Sequence, residues 1–174
     1  FTTGPTLPTG ANPYGVVIGD FQHNGHPDIA VTCYTPDILY VFPNNGDGTF
    51  GTPFMTSTGS GPMSLVTGDF NRDGKLDIVV ANATGNSPTG PNAPLPDPTT
   101  SGNNISFFAG NGNGTFQPGV ISPSLNFPQS IAAGDVNGDG ILDIVGVAPN
   151  YQQVVVTLGN GDGTFGTFYQ RVEF

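Results

Sequence analysis

Three stretches of the chain place oxygen-bearing side chains at alternate positions: "DFQHNGHPD" (Asp20 to Asp28), "DFNRDGKLD" (Asp69 to Asp77) and "DVNGDGILD" (Asp135 to Asp143). Counted over nine positions, the donors stand at 1, 3, 5 and 9, with glycine at 6 to allow a sharp turn at positive φ. Calcium takes about six to eight oxygen ligands from carboxylates, amides, main-chain carbonyls and water. A loop curled round one ion can supply that set from the side chains at 1, 3, 5 and 9 and the carbonyl at 7. Loop one offers Asp20, Gln22, Asn24, Asp28 and the carbonyl of His26. Loop two offers Asp69, Asn71, Asp73, Asp77 and the carbonyl of Lys75, and loop three Asp135, Asn137, Asp139, Asp143 and the carbonyl of Ile141. Loops two and three bring three carboxylates each; loop one brings two, with a longer amide at position 3. Site charge tunes calcium affinity, so loop one is expected to bind most weakly, and two or three Ca²⁺ ions are expected in all.

The first half of each loop resembles an EF-hand loop. The acid that an EF-hand carries at position 12 is missing, since Val31, Val80 and Gly146 stand there. Position 9 must therefore close the site. The same residues could merely make Asx turns between strands, but 8 of the 13 acidic residues fall within these three loops, and like charge packed so closely is costly without a cation. Magnesium suits the loops less, because it demands a small octahedral site and keeps its waters. His23 and His26 form an H-x-x-H pair inside loop one; with position 7 contributing only its carbonyl, they read as solvent-facing rather than as a transition-metal site.

The elements that position these loops follow from a repeat. A second landmark recurs as "NGDGTF" (Asn45 to Phe50), "NGNGTF" (Asn111 to Phe116) and "NGDGTF" (Asn160 to Phe165). From Phe1 to Asp20, Phe50 to Asp69 and Phe116 to Asp135 the separation is 19 residues. From loop Asp to turn Phe it is 30 residues for Asp20 to Phe50 and for Asp135 to Phe165, but 47 for Asp69 to Phe116. The unit is thus 49 residues, with units at 1–49, 50–115 and 116–164, a C-terminal strand at 165–174, and 17 extra residues in the middle copy. The extra residues lie within Ala83 to Asn104, whose five prolines mark a surface loop. Each unit holds four short β-like runs, which predicts an all-β fold: three four-stranded antiparallel blades of a β-propeller, part of a larger or oligomeric ring. A parallel solenoid is the alternative. Chain direction puts the acidic loops and the turns at one end of each blade and the insert at the other. The turn phenylalanines Phe50, Phe116 and Phe165 are expected to pack between blades.

Composition narrows the function. With 3 Lys+Arg against 13 Asp+Glu, no nucleic-acid partner held by phosphate neutralisation is expected. No apolar stretch approaches the roughly 18 residues of a membrane span, so no membrane insertion is expected. Gly and Pro are abundant, yet the apolar residues fall in short runs between turn residues, which argues for strands against disorder. Cys33, the one cysteine, reads as a small core hydrophobe. No G-x-S-x-G, H-E-x-x-H, P-loop or dinucleotide motif is present and no histidine lies outside loop one, so an enzyme is not expected. Asn82, Asn104 and Asn113 each open an N-x-[ST] sequon.

The pattern D-x-[ND]-x-[DN]-G-x-x-D, followed by an apolar strand and a "GNGDGTF"-type turn, resembles the FG-GAP/VCBS repeats of integrin-α-type β-propellers over nearly the whole chain. The resemblance implies a calcium-binding propeller with its ions on the face opposite the ligand-binding one, where the insert would project. Loop one departs from the pattern at Gln22. Members include adhesion receptors, fungal lectins and bacterial surface proteins. The expectation is a non-catalytic, calcium-stabilised extracellular or cell-surface module for adhesion, ligand binding or surface assembly. The alternatives are a carbohydrate-binding lectin and, more distantly, a non-catalytic segment of a secreted hydrolase. Its partner would be a protein or glycan. Propellers close with about four to eight blades, so three blades leave two open sheet faces, and self-association through them is expected.

Overall fold

The structure, a computed structural model, describes residues 4–83, 104–122, 128–148, 153–166 and 170–171. Strands and turns account for them, with no helix among the described residues. The first sheet comprises β1 (Ala11–Gly19), β2 (Asp28–Thr35), β3 (Ile38–Phe42) and β4 (Phe54–Ser57). The second comprises β5 (Pro62–Gly68), β6 (Asp77–Asn82), β7 (Asn104–Phe108) and β8 (Val120–Ser122). The third comprises β9 (Ser130–Gly134), β10 (Asp143–Ala148), β11 (Gln153–Thr157) and β12 (Gln170–Arg171). In each sheet the strands pair in chain order, and the recorded pairings are antiparallel. The fourth strand of each sheet lies beyond the glycine-rich turn, after Phe50, Phe116 and Phe165 respectively. Of the C-terminal stretch 165–174, Gln170 and Arg171 pair with Val156 and Val155. The 17-residue insert falls on 84–103, outside the described residues; its flanks Ala83 and Asn104 are buried.

Strand periodicity explains which side chains meet. In β6, Ile78 and Val80 face the first sheet, where they pack with Ala30, Leu39 and Val41. Val79 and Ala81 alternate to the other face and, with Ile105 and Phe107, meet Ile131, Ile144 and Val155 of the third sheet. The middle sheet is therefore apolar on both sides, which is why "DIVVAN" reads as a continuous run instead of an alternation. Removing each such Ile or Val from water contributes about 1.5–3 kcal/mol. The first sheet approaches the second closely enough that β1 carries glycine where they touch: a Cβ on Gly15 would strike Leu65 and Thr32, and one on Gly19 would strike Leu76. Cys33 is a free thiol buried in the first sheet, as its apolar setting predicts.

The remaining faces of the two outer sheets point away from this core. On the first sheet that face carries Val16, Ile18 and Met55, all more than half exposed; on the third it carries Val145, Val147 and Val156, on the opposite side of their strands from Ile144 and Val155.

Ile78 is fully buried between two sheets, and Ile78→Ala should lower unfolding free energy by about 2–5 kcal/mol. A urea melt measures this as a lower midpoint at unchanged slope.

Candidate metal centre

Position 9 of each acidic loop is the first residue of the second strand: Asp28 in β2, Asp77 in β6 and Asp143 in β10. All three are fully buried. Their carboxylates bind main chain on two sides. Asp77 Oδ2 accepts from the amides of Phe70 (3.0 Å) and Asn71 (3.2 Å), and its Oδ1 from the amide of Gly110 (2.9 Å). Asp28 Oδ2 accepts from Phe21 (3.0 Å) and Gln22 (3.1 Å), and its Oδ1 from Asn44 (2.8 Å). In the third sheet Asp143 Oδ2 accepts from Val136 (2.9 Å) and Oδ1 from Gly159 (2.9 Å). Each carboxylate thus joins the start of its acidic loop to the chain entering the glycine-rich turn, and the two landmarks share one end of each sheet as chain direction predicts. Burial pushes the Asp77 carboxyl up, while the amides of Gly110, Phe70 and Asn71 pull it back. The sign follows: a raised carboxyl favours the protonated form in the fold, so its contribution is full below the ordinary carboxylate pKa and is lost as pH rises through the raised one. A cation in loop two would offset that cost.

The first seven positions are curled by their own side chains. Position 1 accepts from the amides of positions 5 and 6: Asp20 from Asn24 (2.9 Å) and Gly25 (2.8 Å), Asp69 from Asp73 (3.0 Å) and Gly74 (2.9 Å), Asp135 from Asp139 (3.2 Å) and Gly140 (2.8 Å). Position 5 accepts from the amide of position 7 in all three loops, through Asn24, Asp73 and Asp139. Position 3 accepts from the amide of position 5 through Asn71 and Asn137, both at 3.0 Å. Gln22 makes no such bond; instead its Oε1 accepts from Asn24 Nδ2 at 3.3 Å. The extra methylene of glutamine removes this rung from loop one. Position 6 is left-handed in every loop, which its glycine permits, and so is position 4, where His23 and Arg72 adopt φ of 54° and 62° and loop three has Gly138.

Position 7 turns its side chain onto the neighbouring turn. The His26 ring lies against Gly46, the Lys75 stem against Gly112 and Ile141 against Gly161, which leaves the main-chain carbonyl as the donor that position 7 has to offer. Both histidines are exposed. The backbone amides of Gly140, Gly138 and Asp139 hold the Asp135 carboxyl below its ordinary range. For Asp20, slight burial raises the carboxyl but the amides of Asn24 and Gly25 outweigh it. Lys75 Nζ stands 3.5 Å from Asp73 Oδ2, both side chains being well exposed, a pair of little energetic weight.

The donor chemistry fits calcium at positions 1, 3, 5 and 7, and in loops one and two it is strained at 9. An ionised carboxylate has about four acceptor sites. Asp20 and Asp69 use two each on amides, whereas Asp28 and Asp77 use three; in loop three the order reverses, Asp135 using three and Asp143 two. Among the described residues no group of three His, Cys, Asp or Glu side chains gathers as a metal cluster; the donors of each loop are a mixture of carboxylate, amide and carbonyl oxygens. The main-chain partners Asn44, Gly110 and Gly159 escape sequence reasoning, since an amide has no residue type to betray it. Of the three sequon asparagines, Asn82 and Asn104 are buried and Asn82 Nδ2 donates to Asn104 Oδ1 at 2.8 Å, so the fold withdraws both from modification; Asn113 is exposed.

In the turns, Asp47 Oδ1 accepts from the Thr49 amide (2.9 Å) and hydroxyl (2.6 Å), Asp162 Oδ1 does the same with Thr164, and Asn113 repeats the pair with Thr115 at 3.1 and 2.6 Å. Two turn phenylalanines cross to the preceding sheet: Phe116 meets Phe21 edge-to-face at 5.7 Å, and Phe165 meets Phe70 at 5.9 Å. Phe50 is half-buried and meets no other ring among the described residues.

A family model described as FG-GAP-like repeat matches residues 20–80 and 99–146, a span that includes all three acidic loops. No curated protein matches the chain. A solved structure, described as the structural basis of specific recognition of non-reducing terminal N-acetylglucosamine by an Agrocybe aegerita lectin, is similar over 88% of this chain and 50% of that one, at 21% identity and a TM-score of 0.32. The chain thus spans half the length of that lectin.

Asp77→Ala orphans three amides in a buried setting and should cost upwards of about 3 kcal/mol, read by chemical denaturation in metal-free buffer. The turn carboxyls give an acid-limb prediction. The hydroxyl and amide of Thr49 hold Asp47 below its ordinary 3.8, and Thr164 does so for Asp162. A lowered carboxyl contributes stability above its unfolded pKa that disappears as pH falls through the folded one. Asp47→Asn with Asp162→Asn, which copies Asn113, should therefore flatten the fall in urea midpoint below about pH 4, relative to the parent.

Proposed function

Because the chain belongs to the FG-GAP-like repeat family, we propose that it is a non-catalytic, calcium-stabilised β-propeller module that works outside the cell in ligand binding, adhesion or surface assembly. Each four-stranded sheet is a blade. The neighbouring of β1 with β5 and of β5 with β9 supports this, since first strands that approach one another fit blades arranged about an axis. The observation that carries the calcium reading is the threefold loop whose oxygen donors are curled by their own amides and anchored by a buried carboxylate.

In loop two the ion would be held by Asp69, Asn71, Asp73 and the carbonyl of Lys75, and in loop three by Asp135, Asn137, Asp139 and the carbonyl of Ile141. In loop one it would be held by Asp20, Asn24, Gln22 and the carbonyl of His26, more weakly for want of a third carboxylate. Asp28, Asp77 and Asp143 add what acceptor capacity their amides leave free. When bound, calcium supplies positive charge that neutralises the loop carboxylates and ties the first two strands of each blade. Everything else is done by the chain: the glycines at position 6 permit the curl, and the position-9 carboxylates keep loop and turn together. Few lysines, a buried free cysteine and a demand for abundant calcium support the extracellular setting. The ligand, a protein or glycan, would engage the end of the blades opposite the loops.

Calorimetric titration with Ca²⁺ should give two or three sites, the weakest lost first on mutation of Asp20. At a hundredfold excess over Kd, each site adds about 2.7 kcal/mol to unfolding free energy, seen as a higher melting temperature that equal Mg²⁺ does not reproduce. Asp69→Asn with Asp135→Asn should remove the two tighter sites. No heat and no shift in melting temperature with Ca²⁺ would sink the reading.

A further inference from the structure

The chain contains two sheet-to-sheet junctions built from the same parts. At each, the position-2 phenylalanine of one acidic loop packs edge-to-face on the turn phenylalanine of the next sheet, Phe21 on Phe116 and Phe70 on Phe165. The carbonyl of that same residue accepts from a turn glycine, Gly114 to Phe21 at 2.9 Å and Gly163 to Phe70 at 3.3 Å. The position-8 leucine of the next loop covers the glycine just before the acidic loop, Leu76 on Gly19 and Leu142 on Gly68.

The two ends of the array display the halves of a third such junction. Position 2 of loop three is Val136, which is 54% exposed where Phe21 and Phe70 are 2% exposed. Gly134 has no heavy atom among the described residues within 4 Å of where its Cβ would stand, unlike Gly19 and Gly68. On the first sheet, Phe50 has no ring partner among the described residues, and Gly48, the counterpart of Gly114 and Gly163, faces open space. Apolar faces adjoin both halves: Val147 is 40% exposed on the third sheet, and Val16, Ile18 and Met55 are 64–67% exposed on the first.

We propose that a second copy of this chain fills both, the third sheet of each copy seating the first sheet of the other, with Val136 against Phe50, the Gly48 amide on the Val136 carbonyl and Pro27 over Gly134. The inference rests on the blade reading above. A second copy is the occupant because one chain presents both complementary halves, in the same relative order as the internal junctions. The contact is head-to-tail, so it must either close or run on as a fibre. Two copies bring six blades, inside the range of about four to eight in which propellers close, and a third copy would exceed it.

The test is the solution mass of the whole chain by light scattering after size exclusion, with saturating Ca²⁺ and with chelator. The expected species has twice the 17.9 kDa of the chain. Val136→Asp buries an unpaired charge at the junction and should weaken association about a hundredfold or more. Val136→Phe restores the aromatic pair of the other junctions and should tighten it, a gain that a poorly folding variant could not mimic. A Val136→Cys, Phe50→Cys variant should cross-link into a dimer under oxidation, whereas Val136→Cys alone should not. A monomer at all concentrations, a longer polymer, self-cross-linking by Val136→Cys alone, or a dimer indifferent to both Val136→Asp and Val136→Phe would overturn the proposal. Calcium binding by a monomer would defeat this inference and leave the proposed function standing; a dimer that ignores calcium would do the reverse.

Discussion

A buried carboxylate at the start of the second strand governs how each sheet is organised. Asp28, Asp77 and Asp143 are fully removed from solvent, a costly position for a charge that only hydrogen bonds to it can justify. Those bonds come from main-chain amides of two separate segments, the beginning of the acidic loop and the entry to the glycine-rich turn. One residue therefore fixes the distance between two connections that are far apart in the chain. The loop can then hold its remaining donors in a short arc, and the turn can present its phenylalanine at a constant height.

That height matters because the sheets register on one another through it. The edge-to-face pairs at 5.7 and 5.9 Å and the glycine amides beneath them repeat with nearly the same geometry at both internal junctions. Between them the middle sheet is covered on both faces, and its strands carry an unbroken apolar run as a result. The same alternation leaves an apolar face on each outer sheet, with Val16, Ile18 and Met55 exposed on the first and Val147 on the third.

In the acidic loops Asn and Asp at positions 1, 3 and 5 curl the chain by accepting from amides two to five residues ahead, and on the proposed reading their free lone pairs would serve the cation. Loop one lacks one of these bonds, because Gln22 is one methylene too long for the amide that Asn71 and Asn137 reach. His23 of loop one and Arg72 of loop two both stand in the left-handed region, where loop three has Gly138.

The strands, their antiparallel order, the loops at one end and the packing of Phe116 and Phe165 were all legible in the sequence, because each rests on local rules: period-two alternation, turn glycines, and a repeat whose landmarks keep their spacing. Position 9 shows where those rules stop. The sequence identifies Asp28, Asp77 and Asp143 as oxygen donors, but which groups meet those oxygens depends on a strand pairing that brings Asn44, Gly110 and Gly159 alongside, and a backbone amide is invisible in a string of residue types. The sequons at Asn82 and Asn104 look alike in sequence to that at Asn113, and burial separates them. Phe50 and Val136 likewise belong to the repeat by spacing alone; only the packing of the sheets leaves them without the neighbours their counterparts have, because contact is a property of the assembled array and not of any one unit.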